Sequence, residues 1–368
     1  MGVDKSLRLR DMAIVKKELK TLLDKKVSLV KFVDRTFNCQ RARTIELLQF
    51  LRDNDNGVTT FHFEIAGDIL SDEECELLMS LRPGLVKLEI GVQSTNEETL
   101  RSINRVTDME KLRKNATKLI QAGNIHIHLD LIAGLMYEDY ESFKKSFNDV
   151  YSLRPNELQL GFLKVLTGTK IAETSDEYGI VFDSNPPYEV IETKWITYSE
   201  ISELKEAEEV LEIYFNSAQF VNSVKFLEQY ENTPFEMYAN IAEFYRECGY
   251  GFMQSSRAKK YEILLAYVTK YHSEILSRFK DYLVMDYYLR EKPKSRPEFA
   301  GDYDFERMKE LYSKENVEKY LPSYSDRDVK SIQRMTHCEE FKTLGETWFF
   351  DYSEKNPITG ECLTIKIG

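Results

Sequence analysis

Residues 125–134 read IHIHLDLIAG. Ile127, Leu129 and Leu131 alternate with His126, His128 and Asp130. A period of two sends these sets to opposite faces of a strand. The same alternation occurs in residues 59–66 (TTFHFEIA), where Phe61, Phe63 and Ile65 alternate with His62, Glu64 and Ala66. It occurs again in residues 85–92 (LVKLEIGV), where Leu88 and Ile90 alternate with Lys87, Glu89 and Gly91. In residues 157–166 (ELQLGFLKVL), Leu158 and Leu160 alternate with Gln159 and Gly161. A shorter apolar run, VSLVKFVD at residues 27–34, reads as a strand ending in a carboxylate.

Helical stretches separate these strands. One covers residues 40–52. Another starts at Ser71, an N-cap with Glu74 at capping-box spacing, and runs to about Leu81. Residues 108–122 are amphipathic, with Gly123 as the stop. Residues 140–152 form the next helix, and a helix to Lys25 precedes the first strand. Repeated alternation with short connections predicts a parallel sheet with right-handed crossovers. A doubly wound Rossmann sheet would bury both faces, at high cost for the charged set. A partial TIM-like (β/α) barrel lets the polar set line an inner channel. Glu64, Gln93, Asp130 and Gly134 then lie toward the C-terminal strand ends, where such barrels place their sites. An antiparallel sheet with one wet face is the other alternative, and the intervening helices oppose it.

Hydrophobic residues make up 42% of the 368 and charged residues 30%, which excludes a disordered chain. No apolar run is long enough to cross a bilayer, and the first twenty residues hold no signal core. The reading is a cytoplasmic protein with no membrane contact. A net charge of −12 disfavours nucleic acid and anionic membranes as partners. The five cysteines, Cys39, Cys75, Cys248, Cys338 and Cys362, are never within three residues of one another. They supply no C-x-x-C motif and no clustered iron–sulfur ligand set, and read as reduced structural residues.

Four segments in order carry a family resemblance: VKFVDRTFN (residues 30–38), LEIGVQSTNEETL (88–100), HLDLIAGLMYED (128–139) and LQLGFLKVLTGTKI (158–171). With the linker PPYEVIETKW (186–195) they resemble the radical S-adenosylmethionine (SAM) superfamily, in the branch often preceded by a cobalamin-binding domain. The resemblance implies SAM and a [4Fe–4S] cluster as cofactors, with cobalamin in a further N-terminal domain. It implies oxidoreductase-type chemistry through a 5′-deoxyadenosyl radical. In that family C-x-x-x-C-x-x-C after the first barrel strand holds the cluster. Nothing in this sequence supplies it, and LRLRDMAIVKKELKTLL (7–23) resembles the helix that follows the cluster loop. The expectation is a barrel missing its first strand, inactive as given. It is either part of a longer protein or a relative that has lost the cluster. No cluster or SAM is expected to be retained stably by this chain.

The resemblance also assigns residues. Gln93 and Ser94 fall near the ribose and methionine end of SAM, although Ser94 or Thr95 could equally cap a helix beginning near Asn96. Asp34 matches the contact to the SAM amino group, with an ion pair to Arg35 or Lys31 as the competing reading. Asp130, Ile132 and Gly134 match a stretch against which adenine packs. The sequence departs just beyond it, where Met136-Tyr137 stands in place of the usual Pro-Gly. Leu163, Lys164 and Val165 match the region that offers backbone to adenine. Glu64, an inward carboxylate near a strand top, reads from its position as a ligand contact or as a partner of Lys87.

His62, His126 and His128 place three of the five histidines on the polar face. With Glu64, Glu89 or Asp130 they suggest a metal-dependent barrel hydrolase. Mutual pairing at the barrel floor is the simpler reading. A non-catalytic relic holding a nucleotide or partner is a third.

The character changes near Tyr198, which sets a partial barrel at residues 1–195 and a mainly helical region at 196–368. Ile201, Leu204, Leu211, Phe215 and Ala218 mark one helix face. Helices are predicted over 234–248, 256–289 and 305–320, with a linker at 292–301. A terminal β-hairpin pairs 346–353 with 362–367. The tyrosines there read as core, or as a cover that selects substrate. Substrate and oligomeric state leave no sequence signal.

Overall fold

The alternating residues of the first half form the two faces of one sheet. The computed structural model describes residues 7–252 and 255–367. Its strands are β1 (Leu29–Lys31), β2 (Thr60–Ile65), β3 (Val86–Gln93), β4 (His126–Ala133) and β5 (Glu157–Phe162). Every neighbouring pair is parallel and the order is β1-β2-β3-β4-β5. The order never reverses. Successive right-handed crossovers in one direction put their helices on one face of a sheet, whereas a doubly wound sheet reverses and covers both. The sheet is therefore an arc of a partial TIM-like barrel, as the charged set required.

The helices are α1 (Met12–Asp24), α2 (Arg41–Asp53), α3 (Asp72–Met79), α4 (Glu97–Ser102), α5 (Met109–Ala122) and α6 (Tyr140–Tyr151). The start of α3 carries the expected capping box of Ser71 and Glu74. Gly123 ends α5 at φ 69°, a conformation that costs glycine no Cβ clash. The expected N-terminal helix is α1, and residues 1–6 of that stretch lie outside the described residues. Phe61, Phe63, Leu88, Ile90, Leu129, Leu131 and Leu158 are buried. The first strand is shorter than predicted, although the Phe32 N–H still donates to the His62 carbonyl at 2.9 Å. Beyond β5 come the short helix α7 (Lys170–Glu173) and a small antiparallel pair, β6 (Val181–Phe182) and β7 (Val190–Glu192).

The chain divides between Glu208 and Glu209, inside the helix α8 (Tyr198–Leu211), where the sequence placed a boundary after residue 195. The second unit holds α9 (Val221–Leu227), α10 (Pro234–Glu247), α11 (Arg257–Tyr271) and α12 (Leu276–Leu289). The single helix predicted over 256–289 is thus two. His272 leaves helical geometry at φ −137° and sets its imidazole 3.0 Å from the Glu231 carboxylate. The stretch 305–320 likewise splits into α13 (Phe305–Leu311) and α14 (Lys314–Tyr320). The tyrosines are core: Tyr214, Tyr238, Tyr245, Tyr261 and Tyr267 are buried, and the Tyr214 and Tyr245 hydroxyls meet at 2.7 Å.

The terminal hairpin, β9 (Glu346–Lys355) with β10 (Cys362–Ile367), gains a third strand, β8 (Thr336–Phe341), which directly follows α15 (Val329–Met335). Phe349 and Cys338 pack with Met308, Val317 and Ile332 of α13–α15. Phe350, Phe341 and Cys362 pack with Val284, Met285 and Tyr288 of α12. The sheet is a filling between helices, and β8 carries the buried Glu339, whose oxygens are gripped by Arg296 at 2.5 and 2.8 Å and met by His337 at 2.9 Å.

Candidate functional site

Register sorts the polar face into rows. Lys31, His62, Lys87 and His126 stand side by side across β1–β4. One step toward the C-terminal ends, Glu64, Glu89, His128 and Glu157 form the next row across β2–β5. A basic row thus faces a largely acidic one, and the charges cancel between rows. Lys31 lies 3.2 Å from Glu89 and 3.9 Å from Glu64. His62 lies 3.0 Å from Glu89, and Lys87 2.9 Å from Glu157. The sequence reading that paired Glu64 with Lys87 is corrected, because the register gives Lys87 to Glu157.

The three histidines differ by surroundings. Burial and then the Lys87 charge push His126 down to about 4. Burial and then Lys31 also lower His62. For His128 burial acts in the same direction, but the Asp130 contact at 2.9 Å and the Glu157 charge outweigh it and raise the imidazole. Among the described residues, no group of three or more His, Cys, Asp or Glu side chains is placed to hold a metal ion. The metal-hydrolase reading of His62, His126 and His128 is therefore corrected: each imidazole faces a carboxylate across the floor.

The third row holds Gly91, Asp130 and Gln159, and it opens onto the C-terminal strand ends. Here β3 carries a bulge between Gly91 and Gln93, and Gln93 takes a left-handed φ of 72°. The Gln93 carboxamide folds over Gly91, where any Cβ would collide with its Nε2. The Arg105 guanidinium reaches the same place and donates to the Gly91 carbonyl. Burial lowers Arg105, while the charges of Asp68 and Asp130 oppose that. One end of the polar face thus gathers a carboxamide, a guanidinium and the carboxylates of Asp130 and Asp68. Glu64, in the row beneath, is partly exposed.

Other predicted positions are placed differently. Asp34 is exposed beyond β1 and lines a cleft of about 560 Å³ with Arg10, Phe32, Phe37 and Leu47. Among the described residues it makes no ion pair with Lys31 or Arg35, and Lys31 turns instead to Glu64 and Glu89. Ser94 has the parity of the apolar face and is fully buried. Its hydroxyl donates to Glu138 Oε1 at 2.6 Å, so it presents nothing to the polar face. It does not cap α4 either, because the Asn96 side chain accepts from the Glu98 and Thr99 N–H groups. Gly134, at φ 81°, is filled by Val190, whose Cγ1 would sit 2.6 Å from an added Cβ. The small residue admits β7, not adenine. The main chain of Leu163 and the Val165 N–H are also committed. The Leu163 N–H donates to Ala133 O, the Val190 N–H donates to Leu163 O, and the Val165 N–H donates to Tyr188 O. These corrections share one cause: the segment around Tyr188–Val190 returns antiparallel to residues 163–165.

Arg105 and Glu138 escaped the sequence reading. Each sits in a loop, at no period, and neither carries a local signal.

The geometry defines a (β/α) arc whose uncovered polar face is self-neutralised at the floor and open at the C-terminal strand ends, as in barrels that hold a cofactor there. Residues 3–150 match the radical SAM superfamily, so the first unit carries a radical SAM domain. Residues 176–357 match a family described as a protein of unknown function, DUF4080. No curated protein matches the chain. Among solved structures the chain is similar to the radical SAM methyltransferase TsrM from Kitasatospora setae, at 16% identity, 48% of this chain, 34% of that one and a TM-score of 0.41. It is also similar to coproporphyrinogen III oxidase (HemN) from Escherichia coli, at 21% identity, 43% of this chain, 40% of that one and a TM-score of 0.34. SuiB from Streptococcus suis matches at 10% identity, 45% and 37% coverage, and a TM-score of 0.37. The chain spans 34% of the TsrM structure.

Proposed function

We propose that the first unit forms the SAM-holding part of a radical SAM iron–sulfur enzyme. The observation that carries this reading is the cluster of Gln93, Arg105 and Asp130 at the open end of an otherwise neutralised face. SAM is a zwitterion with an added sulfonium charge. The Arg105 guanidinium suits its carboxylate, and the Asp130 and Glu64 carboxylates suit its ammonium and sulfonium. Gln93 offers a donor and an acceptor to ribose hydroxyls.

The [4Fe–4S] cluster does not fit the cysteines present. Cys75, Cys338 and Cys362 are buried, and burial pushes the Cys75 thiol up and the Cys362 thiol up to about 12. Cys39 and Cys248 are exposed but belong to different units. Buried thiols held neutral are poor thiolate donors, and among the described residues no three Cys, His, Asp or Glu side chains are grouped to hold a metal. The proposal therefore places the cluster ligands outside these 368 residues, on a strand that adds to the free edge of β1, with cobalamin held elsewhere in the whole protein. It also places the enzyme in the cytoplasm, where free thiols persist. No described helix is long and apolar enough to cross a membrane.

Anaerobic reconstitution of this chain with iron and sulfide tests the cluster assignment. The expected product is colourless after desalting, with iron well below four per chain. A stable brown [4Fe–4S] species on these residues alone would overturn it.

A further inference from the structure

Gln93, at φ 72°, and Tyr137, at φ 63°, hold left-handed backbones. Such conformations cost free energy and persist only where their surroundings fix them. The residue after each is buried, and the two meet. Ser94 donates to Glu138 Oε1 at 2.6 Å, and Ser146 of α6 donates to the same oxygen at 2.9 Å. Each serine also receives a backbone amide of the β3–α4 turn. The Asn96 N–H donates to Ser94 Oγ at 2.9 Å, and the Thr95 N–H donates to Ser146 Oγ at 3.0 Å. The Asn96 carboxamide closes the loop on the Tyr137 carbonyl at 3.1 Å. One carboxyl group thus holds two amides of the turn through two hydroxyls.

We infer that Glu138 is the positioning residue for Gln93, and that its carboxyl group holds the turn in its protonated, neutral form. Glu138 is 1% exposed, and its second oxygen has no hydrogen-bond partner. A carboxylate would leave that oxygen charged and unsolvated, whereas the acid leaves a neutral O–H, whose burial costs less than that of a charge. The surrounding charges do not favour ionisation. Asp139 adjoins it, Asp149 of α6 receives Thr95 Oγ1, and Arg113 of α5 is taken by Asp149 at 3.1 Å. The turn itself offers only Ser94, Thr95 and Asn96 before Glu97 and Glu98 begin α4. Burial pushes the Glu138 carboxyl up to about 7, with the Ser94 and Ser146 hydrogen bonds acting against it. The turn then loosens as pH rises through neutrality, and Gln93 loses its place over Gly91. The step from Gln93 to a bound ligand rests on the proposed function, and the step from Glu138 to the turn does not.

Amide hydrogen exchange on the chain without ligand tests the second step. After correction for the intrinsic rate, protection at Thr95 and Asn96 should fall about tenfold between about pH 6 and about pH 8. The neutral isostere Glu138→Gln should keep high protection at both pH values, and Glu138→Ala should lose it at both. A flat wild-type profile, or a Gln variant that follows the wild-type fall, would overturn the inference. If the alanine variant does not fold, the wild-type and Gln profiles still decide. A chain that fails to bind SAM counts against the proposed function and leaves the exchange result standing.

Discussion

Gly134→Val lowers the stability of the first unit by about 3 kcal/mol or more. Two independent costs add. A φ of 81° is a left-handed conformation, which a β-branched residue adopts at a cost of about 1–2 kcal/mol. The new Cβ would also lie 2.6 Å from Val190 Cγ1 and 3.2 Å from Cγ2, inside any real contact distance. Overpacking of that kind costs about 1–3 kcal/mol. Val190 is 1% exposed and hydrogen-bonded to Leu163, so it has no room to retreat. Urea unfolding of Gly134→Ala, Val190→Ala and the double variant separates the costs. The double variant should recover the clash and keep the backbone penalty. A Gly134→Val protein within about 1 kcal/mol of wild type would contradict the packing of Val190 on β4.

Asp286→Ala removes about 3–5 kcal/mol from the second unit. Asp286 is 1% exposed on α12, and its carboxyl group accepts four hydrogen bonds at the start of α9. The Asn222 N–H and Nδ2 reach Oδ1 at 3.0 and 2.8 Å, and the Ser223 N–H and Oγ reach Oδ2 at 2.8 and 2.6 Å. Alanine leaves those donors facing an apolar void, each at a cost of about 1–3 kcal/mol before relaxation. Asp286→Asn keeps one acceptor oxygen and removes a buried charge but turns an NH2 toward two of those donors, so it should destabilise less than alanine without being neutral. The pH dependence distinguishes the two effects. Burial pushes Asp286 from 3.8 up to about 6, against the bonds from Ser223 and Asn222. Between those values the folded chain binds more protons than the unfolded one, so wild-type stability falls as pH rises across the window. The Asn variant should lack that slope. A wild-type curve that rises there would contradict the burial of this carboxyl group.

The arc was legible in the sequence because alternation specifies two faces, and two faces specify what each must touch. IHIHLDLIAG alone places Leu129 in the core and His128 on the floor, whatever the rest of the chain does. The pairing of those floor charges was not legible. It depends on the stagger between strands, which gives Lys87 to Glu157 and not to Glu64. Ser94 was misplaced by the resemblance, although its parity with Ile90 and Val92 already set it on the apolar face. Leu163, Val165 and Gly134 were read as open because nothing near them announces that residues 188–190 return onto them. Strand β8 was hidden by Glu339, a buried charge whose bidentate partner, Arg296, is 43 residues distant. Arg105 and Glu138 lie in loops, where tertiary contact alone gives a side chain its role.

The central claim is that the open end of the polar face binds SAM. Titration of SAM into the isotopically labelled chain, followed by amide and side-chain NMR shifts, tests it most directly. The account predicts shifts concentrated at Gly91, Gln93, Arg105 and Asp130, with the floor around His62 and His126 unmoved. It also predicts at least about tenfold weaker binding for Arg105→Ala, the loss of one charge-assisted contact. No shift at millimolar SAM, or shifts centred on His62 and His126 or on Leu163 and Val165, would contradict it.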